Sequence, residues 1–348
     1  MTGPLMDVVR DRAFAGRVPL AVHFDLTYRC NERCVHCYLD HEDHGEMSTR
    51  EVEDILDQLA ESGTLFLTLS GGELLLRKDF YEILAYARRL RFDVKIKTNA
   101  ILIREADAAR IRDLGVRQIQ ISVYSHRAEV HDGITKVSGS LERTINAIRF
   151  LRANGLQVMV ANVLMRQNAM DYEGVRTLAT ELGAEYTIDP TITPKMDGNT
   201  STLAYRMPTT QVLHVFRDRS LVGEDFCRPA SPEENRSDAI LDGLPCSAGH
   251  IACYITPYGD VYPCVQFPLP SGNLRQQRFD DVWHHSPQLN EVRGIRVRDL
   301  ATCPSCDHVS TCTRCPGLAY MEGNMRGPSS ADCEKSQLRA SLAASQGH

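Results

Sequence analysis

Three cysteines lie close together in a segment that follows a short apolar run. The run covers residues 22–26, and Cys30, Cys34 and Cys37 follow it with the spacing Cys-x3-Cys-x2-Cys. A cubane iron–sulfur cluster normally takes four cysteine thiolates. A loop that supplies three leaves one iron without a protein ligand, and an open coordination position is where metal chemistry takes place. The alternative is three buried free cysteines or part of a zinc knuckle, since buried free cysteine is common.

A second candidate binding segment stands at the end of another apolar run. Residues 65–69 lead directly into Ser70-Gly71-Gly72-Glu73. Two glycines at the end of a buried strand allow a ligand to approach the backbone closely, and the carboxylate beside them can bind a cationic amino group. On its own this segment also fits an ordinary strand-to-helix turn, but next to the cysteine loop it indicates a binding site.

Together the two segments resemble those of radical S-adenosylmethionine enzymes. In that family the amino and carboxylate groups of S-adenosylmethionine chelate the bare iron, and the Gly-Gly-Glu element grips the amino group. The resemblance implies that Gly71, Gly72 and Glu73 bind this cofactor, although Leu74 stands where the family usually has proline. It also implies a partial six-stranded barrel, which strand and helix periodicity alone cannot distinguish from an open doubly wound sheet.

The same resemblance implies further cofactor contacts, which come from four other segments. His36 matches a position that packs near the adenine, and Ser122 matches a serine that contacts the cofactor. Lys136 is the candidate cation for the cofactor's carboxylate. His36 and Lys136 can equally be solvated surface side chains. Thr98 and Asn99, at the end of the predicted third strand, resemble the start of a Thr-Asn-Gly element of the family.

The last hundred residues carry a separate cysteine pattern, Cys246-x6-Cys253-x10-Cys264 followed by Cys303-x2-Cys306-x5-Cys312-x2-Cys315 and Cys333. It resembles the SPASM domain of peptide-modifying radical enzymes, except for x2 rather than x3 before Cys315. The family's interleaved pattern implies two fully ligated clusters, one on Cys246, Cys253, Cys264 and Cys315 and the other on Cys303, Cys306, Cys312 and Cys333.

Two points about these cysteines stay open. Two zinc sites of four cysteines each would also suit the paired x2 spacing. Cys227 is left over, either as a free thiol or as a ligand if one of the eight is not used. With the N-terminal loop, the resemblance implies three [4Fe-4S] clusters, and fully ligated clusters are suited to electron transfer. A cluster that removes the second electron from a substrate radical favours an oxidative reaction.

Strand and helix signals alternate through the first two thirds of the chain. A capping box at Ser48 and Glu51 opens the first of a series of helices, and each helix must return the chain across a parallel sheet. We therefore predict an α/β fold, a partial (β/α)6 TIM-type barrel followed by a small cysteine-rich SPASM domain. The predicted divisions are an N-terminal extension 1–20, the barrel 21–205, a bridging segment 206–245, the SPASM domain 246–335 and a tail 336–348.

Composition restricts the class of protein. The 348 residues carry a net charge of −6 with no basic run, which gives no support to a nucleic-acid or anionic-membrane partner. No run of 18 uncharged apolar residues and no signal peptide are present. Twelve cysteines in such a chain indicate metal rather than disulfides in a reducing compartment. We expect a cytoplasmic enzyme.

The resemblance implies an oxidoreductase that generates a 5′-deoxyadenosyl radical to abstract hydrogen from a peptide. Oxidative crosslinking or decarboxylation of a ribosomally made peptide would follow, as in the pyrroloquinoline quinone and mycofactocin precursor maturases. The alternative is an enzyme of the anaerobic sulfatase-maturating or tetrapyrrole side-chain-modifying type. About twenty residues precede the first strand, too few for a leader-binding domain. Expected partners are the peptide, a separate leader-binding protein, and an electron donor such as flavodoxin or ferredoxin.

Overall fold

The computed structural model describes residues 3–344 and contains one mixed sheet. Six parallel strands alternate with helices in the first part of the chain, as predicted, and three short strands follow in the cysteine-rich part. The strands are β1 Ala21–Thr27, β2 Phe66–Gly71, β3 Asp93–Thr98, β4 Gln118–Ser122, β5 Val158–Val163, β6 Glu185–Asp189, β7 Ala252–Ile255, β8 Asp260–Tyr262 and β9 Gly272–Asn273.

Strand order explains why the barrel is only partial. The order is β6-β5-β4-β3-β2-β1-β7-β8-β9, so β6 stays at an open edge while β1 pairs in parallel with both β2 and β7. β8 and β9 continue the sheet with antiparallel pairs. The cysteine-rich domain therefore extends the sheet at the β1 edge, a pairing that the sequence pattern did not predict.

The helices cover the outside of the sheet, and the capping box predicted at Ser48 and Glu51 is present. No helix within residues 3–344 is long and apolar enough to cross a membrane. The helices are α1 Pro4–Gly16, α2 Thr49–Glu61, α3 Phe80–Arg89, α4 Glu105–Asp113, α5 Ala128–Thr135, α6 Ser140–Ala153, α7 Tyr172–Glu181, α8 Thr209–Arg217, α9 Arg219–Val222, α10 Pro232–Asn235, α11 Asp238–Leu241, α12 Phe279–His285, α13 Pro287–Gly294, α14 Pro316–Met321 and α15 Ser330–Ala344.

One large apolar core joins the two predicted domains. Val22 and Phe24 of β1 belong to the same buried cluster as Phe279 and Trp283 of α12. Burial of such large side chains contributes on the order of 1.5–3 kcal/mol each, so the cysteine-rich domain shares the core of the barrel. The last helix, α15, also crosses the predicted boundary at 335/336, while residues 345–348 of the predicted tail lie outside the described residues.

Candidate active site

A cavity of about 470 Å³ lies at the carboxyl ends of the strands, the place where barrel enzymes carry their sites. Residues 265, 266, 268 and 321 of the cysteine-rich domain close one side of it. Most of the predicted site residues of the barrel line this cavity. They are Cys30, Cys34, His36, Cys37, Gly71, Gly72, Thr98, Asn99 and Ser122.

The cysteine loop is held in place by α5, an element that the sequence pattern did not reveal. The backbone N–H of Arg33 donates to the carbonyl of Thr135 at 2.9 Å, and that of Val35 donates to Ile134 at 3.1 Å. Both carbonyls lie at the C-terminal end of α5, where helix carbonyls lack intrahelical partners. The loop therefore satisfies the helix end, and the helix end fixes the loop.

The glycine segment is fastened directly to the start of the cysteine loop. Gly72 N–H donates to Thr27 O at 2.7 Å, and Glu73 N–H donates to Arg29 O at 2.9 Å. A Cβ atom on Gly71 would lie 2.1 Å from Thr27 O, and one on Gly72 would lie 2.2 Å from Arg29 O. Both glycines are therefore required by this backbone approach, in addition to exposing backbone to the cavity.

Glu73 is enclosed by hydrogen-bond donors of the protein. Its side chain has no exposed surface and does not line the cavity. The carboxylate accepts hydrogen bonds from Thr98 Oγ1 at 2.7 and 2.9 Å, from Asn99 N–H at 3.0 Å and from Leu75 N–H at 3.1 Å. Burial raises the pKa of Glu73, and these bonds oppose that shift. These bonds join the glycine segment to β3, and the predicted contact of Glu73 with the amino group of the cofactor stays a prediction.

The other predicted cofactor contacts divide between cavity and surface. The His36 ring packs edge-on against Tyr124 with centroids 5.0 Å apart, and its Nδ1 is buried without a hydrogen-bond partner. Burial lowers the pKa of His36 to about 4, so the ring is neutral at pH 7. Asn99 Nδ2 donates to Asn31 Oδ1 at 2.7 Å beside Cys30. Lys136 is exposed at the end of α5 and does not line the cavity, so its contact with the cofactor is not supported by this geometry.

The structure brings together the four cysteines predicted to hold the second C-terminal cluster. Cys303, Cys306, Cys312 and Cys333 line one cavity of about 300 Å³. Burial raises the pKa of the Cys333 thiol, and the other three thiols raise it further. Ser336 Oγ donates to Cys312 Sγ at 3.2 Å, and His308 N–H donates to Cys306 Sγ at 3.4 Å. Such donors stabilise thiolate charge when a cluster is bound.

The four cysteines predicted for the first C-terminal cluster are also neighbours. Burial raises the pKa of Cys253 to about 12 and that of Cys315 to about 11, and the charge of Cys264 raises both. Burial likewise raises the pKa of Cys264, to which Cys246 adds. Cys312 and Cys315 thus join different groups despite their x2 spacing. They separate because Cys315 caps α14, with its N–H bonded to Asp332 at 2.8 Å.

The donor chemistry of these residues fits iron–sulfur clusters and S-adenosylmethionine. Burial raises the pKa of Cys30 to about 12, and a coordinating metal ion would favour the thiolate. Four buried polar atoms of cavity-lining residues lack protein partners and are available to a polar cofactor: Glu32 Oε1, His36 Nδ1, His41 Nδ1 and Asn162 Oδ1.

Cys227 stands apart from both C-terminal cysteine groups. It is 2% exposed and packs in a small apolar cluster with Phe216 and Val215, and its thiol points to the Phe216 carbonyl at 3.8 Å. It lines neither cysteine cavity. Of the two interpretations left open by the sequence, its position favours a buried free thiol.

Sequence reasoning missed the polar residues on the strands that line the main cavity. They are His23, Lys97, Gln120, Asn162 and Asp189. They lie on the parallel strands β1, β3, β4, β5 and β6, respectively. Polar residues at alternate positions of a parallel strand, such as Lys95 and Lys97, are the signal that could have identified this surface.

Residues 24–179 match the family model of the radical SAM superfamily, and residues 246–316 match SPASM, an iron-sulfur cluster-binding domain. The mycofactocin maturase MftC of Mycobacterium tuberculosis is 31% identical over 326 residues, which cover 90% of this chain and 82% of that protein. The chain belongs to the radical SAM superfamily. It is an enzyme whose two domains imply bound S-adenosylmethionine and iron–sulfur clusters.

Two further similarities bear on the interpretation of the site. An AdoMet-dependent heme synthase of Methanosarcina barkeri is 27% identical over 323 residues, covering 87% of this chain and 92% of that one. The crystal structure of Streptococcus suis SuiB bound to precursor peptide SuiA superposes with a TM-score of 0.73 at 17% identity, covering 96% of this chain and 82% of SuiB. The second similarity shows the shared fold.

Proposed function

We propose that this radical SAM enzyme oxidatively modifies a ribosomally made peptide, by crosslinking it or by decarboxylating it. The observation that carries the proposal is the 31% identity to a mycofactocin maturase over nine tenths of the chain. The two groups of four cysteines support it, because fully ligated clusters would suit the removal of one electron from a substrate radical, which completes a two-electron oxidation.

In this proposal three [4Fe-4S] clusters are bound. Cys30, Cys34 and Cys37 would hold the one at the main cavity, and the two C-terminal groups would each hold one more. With S-adenosylmethionine, the cavity cluster supplies the hydrogen-abstracting radical chemistry of the superfamily. Gly71 and Gly72 present backbone to this cofactor, and His36 with Tyr124 forms an aromatic wall beside it.

The proposed reaction also requires partner molecules. The peptide enters a cavity whose far side is formed by the cysteine-rich domain. We propose that a separate small protein presents the leader of the peptide and that flavodoxin or ferredoxin donates electrons. Thiols that ligate iron must stay reduced, so we place the enzyme in the cytoplasm.

Co-expression with a candidate precursor peptide tests this function. Under anaerobic conditions we expect mass spectrometry to show a peptide that has lost two hydrogens, for a crosslink, or carbon dioxide and two hydrogens, for oxidative decarboxylation. The Cys30→Ala, Cys34→Ala, Cys37→Ala triple variant is the matched control and should leave the mass unchanged. An unmodified peptide with wild-type enzyme that still cleaves S-adenosylmethionine would contradict the proposal.

A tetrapyrrole is the second candidate substrate, favoured by the similarity to heme synthases. The same enzyme preparation incubated with a porphyrin that carries propionate side chains distinguishes the two. Porphyrin product together with an unmodified peptide would support this second function in place of the first.

A further inference from the structure

Lys97 is the only lysine or arginine that lines the main cavity in the described part of the chain. It lies on β3, one residue before Thr98, and is half-buried. Within residues 3–344 no carboxylate lies within 4.0 Å of its ammonium group, and no hydrogen bond is made by that group. An ammonium group taken partly out of water without a partner is costly, and an incoming anion removes that cost.

The nearest acidic side chains are already engaged or exposed. Asp25 accepts hydrogen bonds from Tyr254 at 2.8 Å and pairs with His23 at 3.0 Å, which occupies both carboxylate oxygens. Asp189 is exposed and accepts from Thr191 N–H at 2.8 Å. Burial lowers the pKa of Lys97, and Asp25, Cys264 and Asp189 act in the opposite direction. The ammonium thus faces the cavity with its positive charge uncompensated at close range.

The position of Lys97 is on the side of the cavity near the cysteine-rich domain. Its charge acts on the thiol of Cys264, whereas the charges acting on Cys30 come from Glu73, Glu32 and Cys37. The carboxylate of S-adenosylmethionine belongs at the cluster loop, where the open iron would bind it. The free part of the cavity beside Lys97 is the space for substrate.

We propose that Lys97 binds a carboxylate of the substrate, which makes the substrate an acid. The inference rests on the proposed function, so the carboxylate is the C-terminus of the peptide or an Asp or Glu side chain within it. Lys97 is then a specificity-determining residue that orients the peptide with this acidic group against β3, between the cluster loop and Cys264.

Binding of matched synthetic peptides to anaerobically reconstituted enzyme with S-adenosylmethionine tests the inference. The probes are the precursor peptide as free acid, the same peptide with a C-terminal amide, and forms with single Asp→Asn or Glu→Gln changes. With wild-type enzyme we expect one neutral form to bind on the order of 10- to 100-fold more weakly than the parent, as for loss of a charged hydrogen bond. That form identifies which carboxylate is bound.

Lys97→Met should bind the parent and that neutral form equally weakly, while Lys97→Arg should keep part of the preference. Lys78→Met, a change of an exposed lysine outside the cavity lining, should behave as wild type.

If Lys97→Met keeps the full preference, or changes only S-adenosylmethionine affinity or the potentials of the clusters, the inference is overturned. Peptide binding without any preference for a carboxylate overturns the inference but leaves the proposed function standing. Wild-type enzyme that binds no peptide form contradicts the proposed function itself, and the inference falls with it.

Discussion

Glu73 connects the glycine segment to the end of β3. Its carboxylate is the acceptor for Thr98, Asn99 and Leu75, so it sets the distance between the glycine segment and the end of β3. The backbone of Gly72 lies on the cavity side of the same turn. We therefore expect a change at Glu73 to affect cofactor binding through the position of the glycine backbone.

Glu73→Ala should lower both thermal stability and S-adenosylmethionine affinity while iron content is unchanged. Each buried donor left without a partner costs about 1–3 kcal/mol, and three donors lose their acceptor. Glu73→Gln keeps an acceptor oxygen at the same place and should retain most of both properties. Calorimetric binding and thermal unfolding measure the effects. If Glu73→Gln binds the cofactor as weakly as Glu73→Ala and both unfold at the wild-type temperature, the carboxylate contacts the cofactor directly.

Spacing predicted the residues of the site better than it predicted their roles. Cys30, Cys34 and Cys37 lie in one loop, so their proximity is guaranteed by the chain. The role of Glu73 depends on the direction in which its side chain leaves the turn. Whether Lys97 lines the cavity depends on which face of β3 meets that cavity. Both are settled by tertiary packing, which a local motif does not contain.

Among the elements, α15 links the two C-terminal cysteine groups. Cys333 belongs to the second group, while its neighbour Asp332 accepts a hydrogen bond from the N–H of Cys315 in the first. Asp332 also forms an ion pair with Lys335 at 2.8 Å, with the Asp332 side chain only 2% exposed. The helix thus fixes the relative positions of the two groups that would hold electron-accepting clusters.

Cys333→Ala should uncouple cofactor cleavage from substrate oxidation. The variant loses a ligand of the second group only, so we expect about four fewer irons, continued release of 5′-deoxyadenosine, and little oxidised product. Iron content, 5′-deoxyadenosine and product are measured together with soluble yield, because a cluster can contribute folding energy. Cys227→Ala is the matched control, a buried cysteine outside both groups. Wild-type product formation by a soluble Cys333→Ala enzyme that lacks the cluster would make that cluster structural.

Periodicity predicted the longer elements because their apolar faces repeat regularly. The predicted alternation of strands and helices is present from β1 to β6, and the predicted capping box opens α2. Periodicity did not predict α5, which has eight residues and includes Gly133, a poor helix former. Strands β7 to β9 have two to four residues each, too short for an alternating pattern to be distinct.

Across the whole molecule, the barrel and the cysteine-rich domain depend on each other. β7 pairs with β1 from Ala21–Ala252 to Phe24–Ile255, and Trp283 is buried in the core that also contains Phe24. Two sequence segments with separate motifs therefore form one cooperative core. Sequence motifs identify the two segments but do not predict that β7 pairs with β1, because this pairing joins residues more than two hundred positions apart.

A fragment of residues 1–245 should be unstable by itself. Removing the rest exposes the hydrogen-bonding edge of β1 and the apolar surface that Phe279 and Trp283 cover, and an unpaired apolar edge promotes aggregation. We expect poor soluble yield and early, non-cooperative thermal unfolding by circular dichroism compared with the full chain. A soluble fragment that unfolds cooperatively near the full-length temperature would show that the barrel folds independently.

The most direct test of the account measures 5′-deoxyadenosine and modified peptide in one anaerobic reaction. The reaction contains enzyme, S-adenosylmethionine, a reductant and the precursor peptide, and it compares wild type with the Cys30→Ala, Cys34→Ala, Cys37→Ala variant. We expect both products to appear together with wild type and both to vanish with the variant, which should keep about eight irons on its C-terminal cysteines. Modified peptide formed by the triple variant, or 5′-deoxyadenosine formed by wild type with the peptide always unchanged, would contradict the account.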